Sequence, residues 1–303
     1  MLTQAYYFIR GRSVKQRRAR IGYLFLLPSL FFVAVHFVVP TAYNVVLSFA
    51  DWHIIRPLEY VGWENYVEVF TSDEFWESLT RTLYFTVLSV PVTITLALMV
   101  ALGLHRVGRR PGSSVVRAMY FAPVIASLTA VAYIWTWIFN PAYGLLNDIL
   151  GLLSLQPLQW LNDVNQVIPS LSIMYVWSRL GFDMLILMAG LTAIAPDYYE
   201  AARIDGATRW RSFWHITLPL LNHQLVLISV VEMMLALKVF ELPYAATSGG
   251  PVNASRTLVM HIYETAFQWN RMDEAAVASI ALFLIILVIT VLQHRLLSRK
   301  IRY

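Results

Sequence analysis

A few ionisable side chains stand inside long apolar runs of this 303-residue sequence: Arg179 and Asp183, Glu232, Lys238 and Glu241. Each is costly there, since a central Asp, Lys or Arg costs about 2.5–3.5 kcal/mol on membrane-insertion scales, so each implies an ion pair or a solute pathway. Arg179 and Asp183 are four residues apart, a spacing that lets them face each other across one helical turn. Tyr175, Trp177 and Phe182 flank them, and aromatic faces with a few polar groups suit a sugar. Gly181 lies between the pair, where a local helix break is expected. Lys238 and Glu241, three apart, read as a second pair. The competing expectation is structural pairing between packed helices, with Lys238 snorkelling to the surface. Bond-making chemistry finds no support. There is no H-E-x-x-H, no G-x-S-x-G and no EF-hand loop. The stretch from Gly103 to Arg110 lacks the Lys-Ser/Thr pair of a phosphate loop, and zero cysteines exclude a thiolate site or nucleophile.

The elements that must position these residues follow from composition. Apolar residues reach 58% and charged residues only 14%, which excludes an ordinary soluble enzyme. Six runs are long enough to cross a hydrocarbon core of about 30 Å: Ile21–Ser48, Thr82–Leu104, Ala118–Phe139, Val167–Leu191, Leu225–Ala245 and Val277–Leu297. Backbone polar groups cannot go unpaired in lipid, so the runs are helices, and the fold class is an all-α integral membrane protein. The first run is read as an uncleaved helix, because no small-residue cleavage site closes it.

Charge then orients the chain. The segment before the first run, the second and fourth loops and the tail hold seventeen bases and three acids, Asp197, Glu200 and Asp205. The other side holds four bases against thirteen acids, counting Glu241 at the outer end of the fifth run. Both termini are therefore cytoplasmic. The net +5 records topology and gives no reason to expect nucleic acid.

The fourth loop, residues 196–219, is the most informative segment. Pro196 suits the first turn of a helix, and Asp197 and Glu200 complement its positive end. Gly206 supplies a turn, and a second short amphipathic helix runs to Pro219. Ala201, Ala202 and Ala207 leave room for close approach of another surface. Two short helices with a glycine turn also describe a DNA-reading motif, but membrane spans only a few residues away on both sides preclude docking in a major groove.

At these residues the sequence resembles the permease subunits of binding-protein-dependent ABC importers, whose signature is E-A-A-x3-G before a downstream I-x-L-P. Glu200, Ala201, Ala202, Gly206, Ile216, Leu218 and Pro219 match, and Asp205, Ala207 and Phe213 fit the form found in the carbohydrate-uptake group. Gly62-Trp63-Glu64-Asn65-Tyr66, Asn140-Pro141-Ala142-Tyr143-Gly144 and Gly249-Gly250-Pro251 extend the likeness over nearly the whole chain. His223 departs from it, standing where the family often has a proline.

The resemblance implies a type I ABC importer permease fold: one transmembrane permease domain over 1–303, with a basic cytoplasmic segment (1–20) and a coupling loop (196–219). It implies that the loop docks into a separate ATPase, which alone uses ATP and magnesium, so this chain is not an enzyme and binds no cofactor. The implied partners are a second homologous permease, two ATPase subunits and an extracytoplasmic solute-binding protein facing Gly249, Gly250 and Pro251. The expected cargo is a sugar, with glycerol-3-phosphate and polyols as alternatives in which Arg179 or Lys238 meets an anion. A proton-driven carrier using Asp183 or Glu232 has no need of the loop motif, and a membrane-embedded enzyme would want its charges at one depth.

Overall fold

The structure, a computed structural model, describes residues 14–53, 55–108 and 112–297. Of the bases that orient the chain, Arg10, Arg12, Arg109, Arg110, Arg299, Lys300 and Arg302 lie outside these residues. The described chain is almost entirely helical, with one two-residue antiparallel pairing, β1 (Ala50–Asp51) with β2 (Glu59–Tyr60). Four helical stretches are long and apolar enough to span a membrane: Arg18–Leu47, Asp73–Val107, Val167–Ala193 and Met272–Leu297. Two bent pairs bring the number to six. An even number of crossings keeps both ends of the chain on one side.

Prolines decide where these elements bend. The first span runs from α1 (Val14–Val33) through a π-helical turn, Ala34–Val38, into α2 (Val39–Leu47). Pro40 has no N–H and its ring crowds the carbonyl four residues earlier, so the wider turn before it absorbs the clash. A short outer helix, α3 (Glu64–Thr71), leads into α4 (Asp73–Val107), and Gly108 ends α4 at φ +66°. At 1.5 Å per residue, α4 is about 50 Å long and projects beyond the hydrocarbon.

The third span departs from expectation. In place of a continuous Ala118–Phe139 helix there are α5 (Ser113–Ile125) and α6 (Leu128–Ile138), bent by 104°. Pro123 removes a donor near the break, Ala126 and Ser127 are extended, and Ser127 Oγ accepts from Ala130 N at 3.2 Å to start α6. The short α7 (Leu145–Leu152) follows, and then α8 (Val167–Ala193) crosses without interruption. The loop forms α9 (Pro196–Ile204), α10 (Arg209–Ser212), a π turn (Phe213–Thr217) and α11 (Leu218–Leu220). The fifth span, expected as Leu225–Ala245, is α12 (Asn222–Leu237), bent by 65° from the segment before it. It stops at Lys238; α13 (Glu241–Thr247) is a separate helix, followed by α14 (Leu258–Tyr263), a π turn (Glu264–Gln268) and α15 (Met272–Leu297).

Packing centres on α4 against α8, with α12 alongside. The buried face of α4 carries many small or hydroxyl residues, Ser78, Thr82, Thr86, Ser89, Thr93, Ala97 and Ala101, among larger apolar ones such as Phe75 and Phe85. Its threonines return their hydroxyl protons to carbonyls one turn back, as Thr86 does to Thr82 at 2.7 Å, so helices approach closely with few loose polar groups. One core cluster lies around Phe85, Val131 and Tyr175, a second around Met184, Leu187 and Ile228, and a third around Phe75, Leu258 and Val277. The first span stands apart, with none of its apolar window buried in the chain.

Candidate functional site

Two helices build the intramembrane site. On α8, Tyr175 and Arg179 lie one turn apart, and both reach Glu232 on α12. Arg179 donates from Nε at 2.9 Å and Nη2 at 2.7 Å to Glu232 Oε1, while Tyr175 Oη donates to Oε2 at 2.7 Å. Glu232 is completely buried, and both its oxygens are occupied. The Arg179 guanidinium also sits 5.1 Å from the centroid of the Phe182 ring, a cation–π contact.

The expected Arg179–Asp183 pair does not form, because the guanidinium turns to the neighbouring helix. Within one helix the acid is better placed N-terminal to the base, and the order here is the reverse. Glu232 offers a charge-assisted, interhelical alternative. Asp183 is fully buried with neither carboxyl oxygen hydrogen-bonded. Trp177 also leaves the cluster, packing edge-on against Trp135 at 5.8 Å. Lys238 and Glu241 are exposed, make no ion pair with each other, and belong to a helix cap and the next helix. The expected break at Gly181 is absent. A Cβ there would come within 2.0 Å of the Tyr120 carbonyl oxygen, so this glycine lets α5 touch α8.

The cytoplasmic loop is the second site. Pro196 opens α9 with a β-region residue before it. Gly206 turns the chain at φ +73°, and Thr208 Oγ1 caps α10 by accepting from Arg211 N at 3.3 Å. Tyr199 faces inward, its hydroxyl 3.0 Å from that of Thr217. Glu200, Ala201, Asp205 and Gly206 are exposed, Ala202, Ala207, Phe213 and Pro219 half-buried. The loop is thus closed on itself by Tyr199 and Thr217, with Glu200, Ala201 and Gly206 of the signature left exposed. Trp210, Phe213 and Trp214 form an aromatic cluster at its edge, with centroids 5.3–6.0 Å apart.

Residues 74–303 match the family described as "binding-protein-dependent transport system inner membrane component". The chain belongs to this family. It is 34% identical over 283 residues to the trehalose/maltose permease protein MalF of Thermococcus litoralis, covering 92% of this chain and 94% of that one. It is 30% identical to the sulfoquinovosyl glycerol permease protein SmoG of Agrobacterium fabrum, covering 92% and 91%. A chain in the crystal structure of a bacterial ABC transporter involved in import of the polysaccharide alginate superposes with a TM-score of 0.81, covering 94% of this chain and 98% of that one. At 24% identity this last likeness speaks to the fold alone. The fold is that of a type I importer permease, an inner-membrane, multi-pass protein.

On the outer face of this permease the family-like motifs serve the turns themselves. Asn65 Nδ2 donates to the carbonyls of Ser48 and Ala50 at 3.2 and 3.0 Å, closing the first outer loop. Asn140 Oδ1 accepts from Ala142 and Tyr143, and a Cβ on Gly144 would strike the Asn140 carbonyl at 2.3 Å. Gly249 adopts φ +87° and is buried, Gly250 and Pro251 are half-buried, and Val252 at the apex is 88% exposed.

Beneath that apex lies a cluster that reading the sequence missed, having counted Arg256 only as an outer charge. Arg256 is buried, 2.7 Å from His261 Nδ1, paired with Glu264 at 2.7 Å and Glu74 at 3.9 Å, and over the Trp269 ring at 4.8 Å. Burial, aided by the Arg256 charge, pushes the His261 imidazole down to about 4, and burial raises Glu264 above the usual carboxylate range. A base within five residues of a histidine was the available signal; Glu74, from the start of α4, gave none. The acidic first loop contributes Glu68 to Arg271, which also pairs with Glu274.

Proposed function

We propose that this permease is the transmembrane half-channel of an ATP-driven importer for a sugar or related solute, and that residues 196–219 transmit motion from a separate ATPase. The observation that carries this reading is the two-faced loop. On its inner side Tyr199 ties α9 to Thr217 in the segment that leads into α12, and Glu200, Ala201 and Asp205 stay exposed around the Gly206 turn. A short helix held in this way moves as a unit with the spans, whereas a flexible loop would absorb the displacement. The relatives that handle trehalose, maltose and sulfoquinovosyl glycerol support the sugar class.

In this reading a second permease and lipid cover the first span, which the chain leaves unburied. Arg179, Tyr175 and Glu232 clamp α8 to α12 beside the pathway, while Trp177 and Phe182 keep aromatic surface for a sugar ring. Asp183, with free oxygens, is the polar group that a hydroxyl or a water meets when the helices part. A phosphorylated cargo gains little here, because the one guanidinium is already engaged by the Glu232 carboxylate. Gly249, Gly250 and Pro251 shape the loop that lifts Val252 and Asn253 toward the solute-binding protein.

The test is uptake in proteoliposomes supplied with ATP, the ATPase and the binding protein. Glu200→Lys reverses a charge-assisted contact of about 1.5–3 kcal/mol, so ATPase association should weaken about 10- to 100-fold. Gly206→Arg forces a side chain into the left-handed region and should abolish uptake while the permease stays in the membrane. Wild-type uptake in both variants would refute the coupling role, and uptake without ATP would refute the transporter class.

A further inference from the structure

A cavity of about 360 Å³ opens at the cytoplasmic face, between the inner end of α4 and the inward side of the loop. His105, Arg106, Arg203 and Arg209 line it with the hydroxyls of Tyr199 and Ser212, and no carboxylate lines it among the described residues. Arg203 Nε donates to the Tyr199 carbonyl at 3.4 Å, which leaves most of its guanidinium free; Arg106 and Arg209 have no ion-pair partner among the described residues. The three acids of the loop, Asp197, Glu200 and Asp205, are exposed and none of them lines the cavity. Converging arginines with hydroxyl donors and no acid are the chemistry of a phosphate site.

Two further features indicate where that phosphate comes from. One wall is apolar, formed by Leu102 and Leu191 near the inner ends of α4 and α8 and by Phe213 of the loop, a surface suited to the start of an acyl chain. Beside it, Trp210 is 70% exposed and Trp214 47%, the placement of indoles at the headgroup level of a bilayer. We propose that this cleft binds the phosphate headgroup of an anionic phospholipid, one that bridges α4 to the inner face of the 196–217 loop. The site requires only that this face be cytoplasmic, and it stands or falls independently of what the outer face of the loop docks. Basic pockets between spans on the cytoplasmic side are suited to such headgroups. Bound there, the lipid phosphate offsets part of the charge of the three clustered arginines and braces α9 and α10 against α4.

The experiment uses the full chain, with whatever subunits co-purify, in nanodiscs of phosphatidylcholine with graded phosphatidylglycerol, and native mass spectrometry counts retained lipid. Wild type should retain phosphatidylglycerol over phosphatidylcholine. The Arg106→Gln/Arg209→Gln double variant should need about tenfold or more phosphatidylglycerol for the same retention. Arg295→Gln, a base on the same face outside the cleft, should leave retention unchanged. Equal retention in the double variant and wild type overturns the proposal, as does wild type with no preference for the anionic lipid. Displacement of the lipid by millimolar inorganic phosphate would assign the cleft to a soluble anion and overturn the lipid source. The preference in wild type is read without any variant, so misfolding of the double variant leaves the proposal open to refutation.

Discussion

The α8–α12 cluster and the cytoplasmic loop both carry charge, and they use it in opposite ways. In the cluster, Arg179 and Tyr175 both bond the fully buried Glu232, and the charge is turned inward between two helices. In the loop, Glu200 and Asp205 are exposed, and the hydrogen bonds that hold the fold run through Tyr199, Thr208 and the backbone instead. The difference teaches where stability and function separate. A substitution in the cluster strands a buried charge and is felt first as instability. A substitution on the outer face of the loop leaves the fold alone and is felt, if the proposal holds, only when an ATPase is present.

The largest effect should come from breaking the cluster on one side. Arg179→Met leaves Glu232 buried without its cation, and Glu232→Leu leaves Arg179 without its anion. Each should cost about 3–5 kcal/mol, seen as reduced expression or a lower melting temperature in detergent. The double variant should recover much of that loss, because a buried pair replaced by packed apolar groups is often close to neutral. A double variant no better than either single would mean that the two residues act separately.

Glycines of the same structure provide a graded test of how tightly α8 is held. Gly181→Ala places a methyl 2.0 Å from the Tyr120 carbonyl oxygen, and the backbone of α5 must move. The expected cost is about 1–3 kcal/mol. Gly190→Ala meets the flexible ends of Leu221 and Gln224 at 2.7–2.8 Å and should cost less. Gly103→Ala on α4 meets nothing within 4 Å and should be neutral or stabilising by about 0.5–1 kcal/mol. Thermal melts of the three single variants would establish or break that order.

The Arg256–His261–Glu264 cluster of the outer face extends the comparison to a second buried group of charges. His261 is neutral when folded, held down to about 4 against an ordinary value near 6.5. Its contribution is therefore complete above about pH 6.5 and is lost as pH falls from there through 4, because the unfolded imidazole takes up a proton first. Between pH 7 and 5 the loss should be at most about 2 kcal/mol. His261→Gln should flatten that part of the pH–stability profile, and an unchanged slope would mean that the histidine does not set it.

What could be read in the sequence differs by region for physical reasons. Apolar run length and basic residues report on a single helix and its flanks, so six spans and their orientation were legible from residues alone. The 196–219 motif is local and contiguous, and its helix, glycine turn and second helix lie where Pro196, Gly206 and Thr208 put them. The intramembrane site depends on which faces of two distant helices meet. Helical spacing offered Arg179 the nearer Asp183, and only the packing of α12 shows that Glu232, 53 residues away, is the partner. The break in the third span was available in Pro123 but was outweighed by the apolar run from Ala118. Gly181 suggests a flaw in its own helix when it serves the approach of another.

The smallest effect on the fold should come from Glu200→Ala, and it is the most useful contrast with Glu232. Both residues are glutamates on helices of the same permease, but Glu232 is completely buried with three donors on its carboxylate, and Glu200 is exposed. An exposed surface substitution is worth within about 0.5 kcal/mol of zero, so the melting temperature should not move. Glu200 stands past the first turn of α9, where the helix dipole contributes little to a carboxylate. Uptake and ATPase association should nonetheless fall, because the carboxylate acts on a partner subunit and not within the permease. Melting curves of the isolated permease and uptake by the assembled transporter, measured on the same two variants, place each residue on one side of the comparison. If Glu200→Ala lowers the melting temperature of the isolated permease as Glu232→Leu does, its carboxylate belongs to the fold, and Ala201, Ala202 and Asp205 remain to carry the docking face alone.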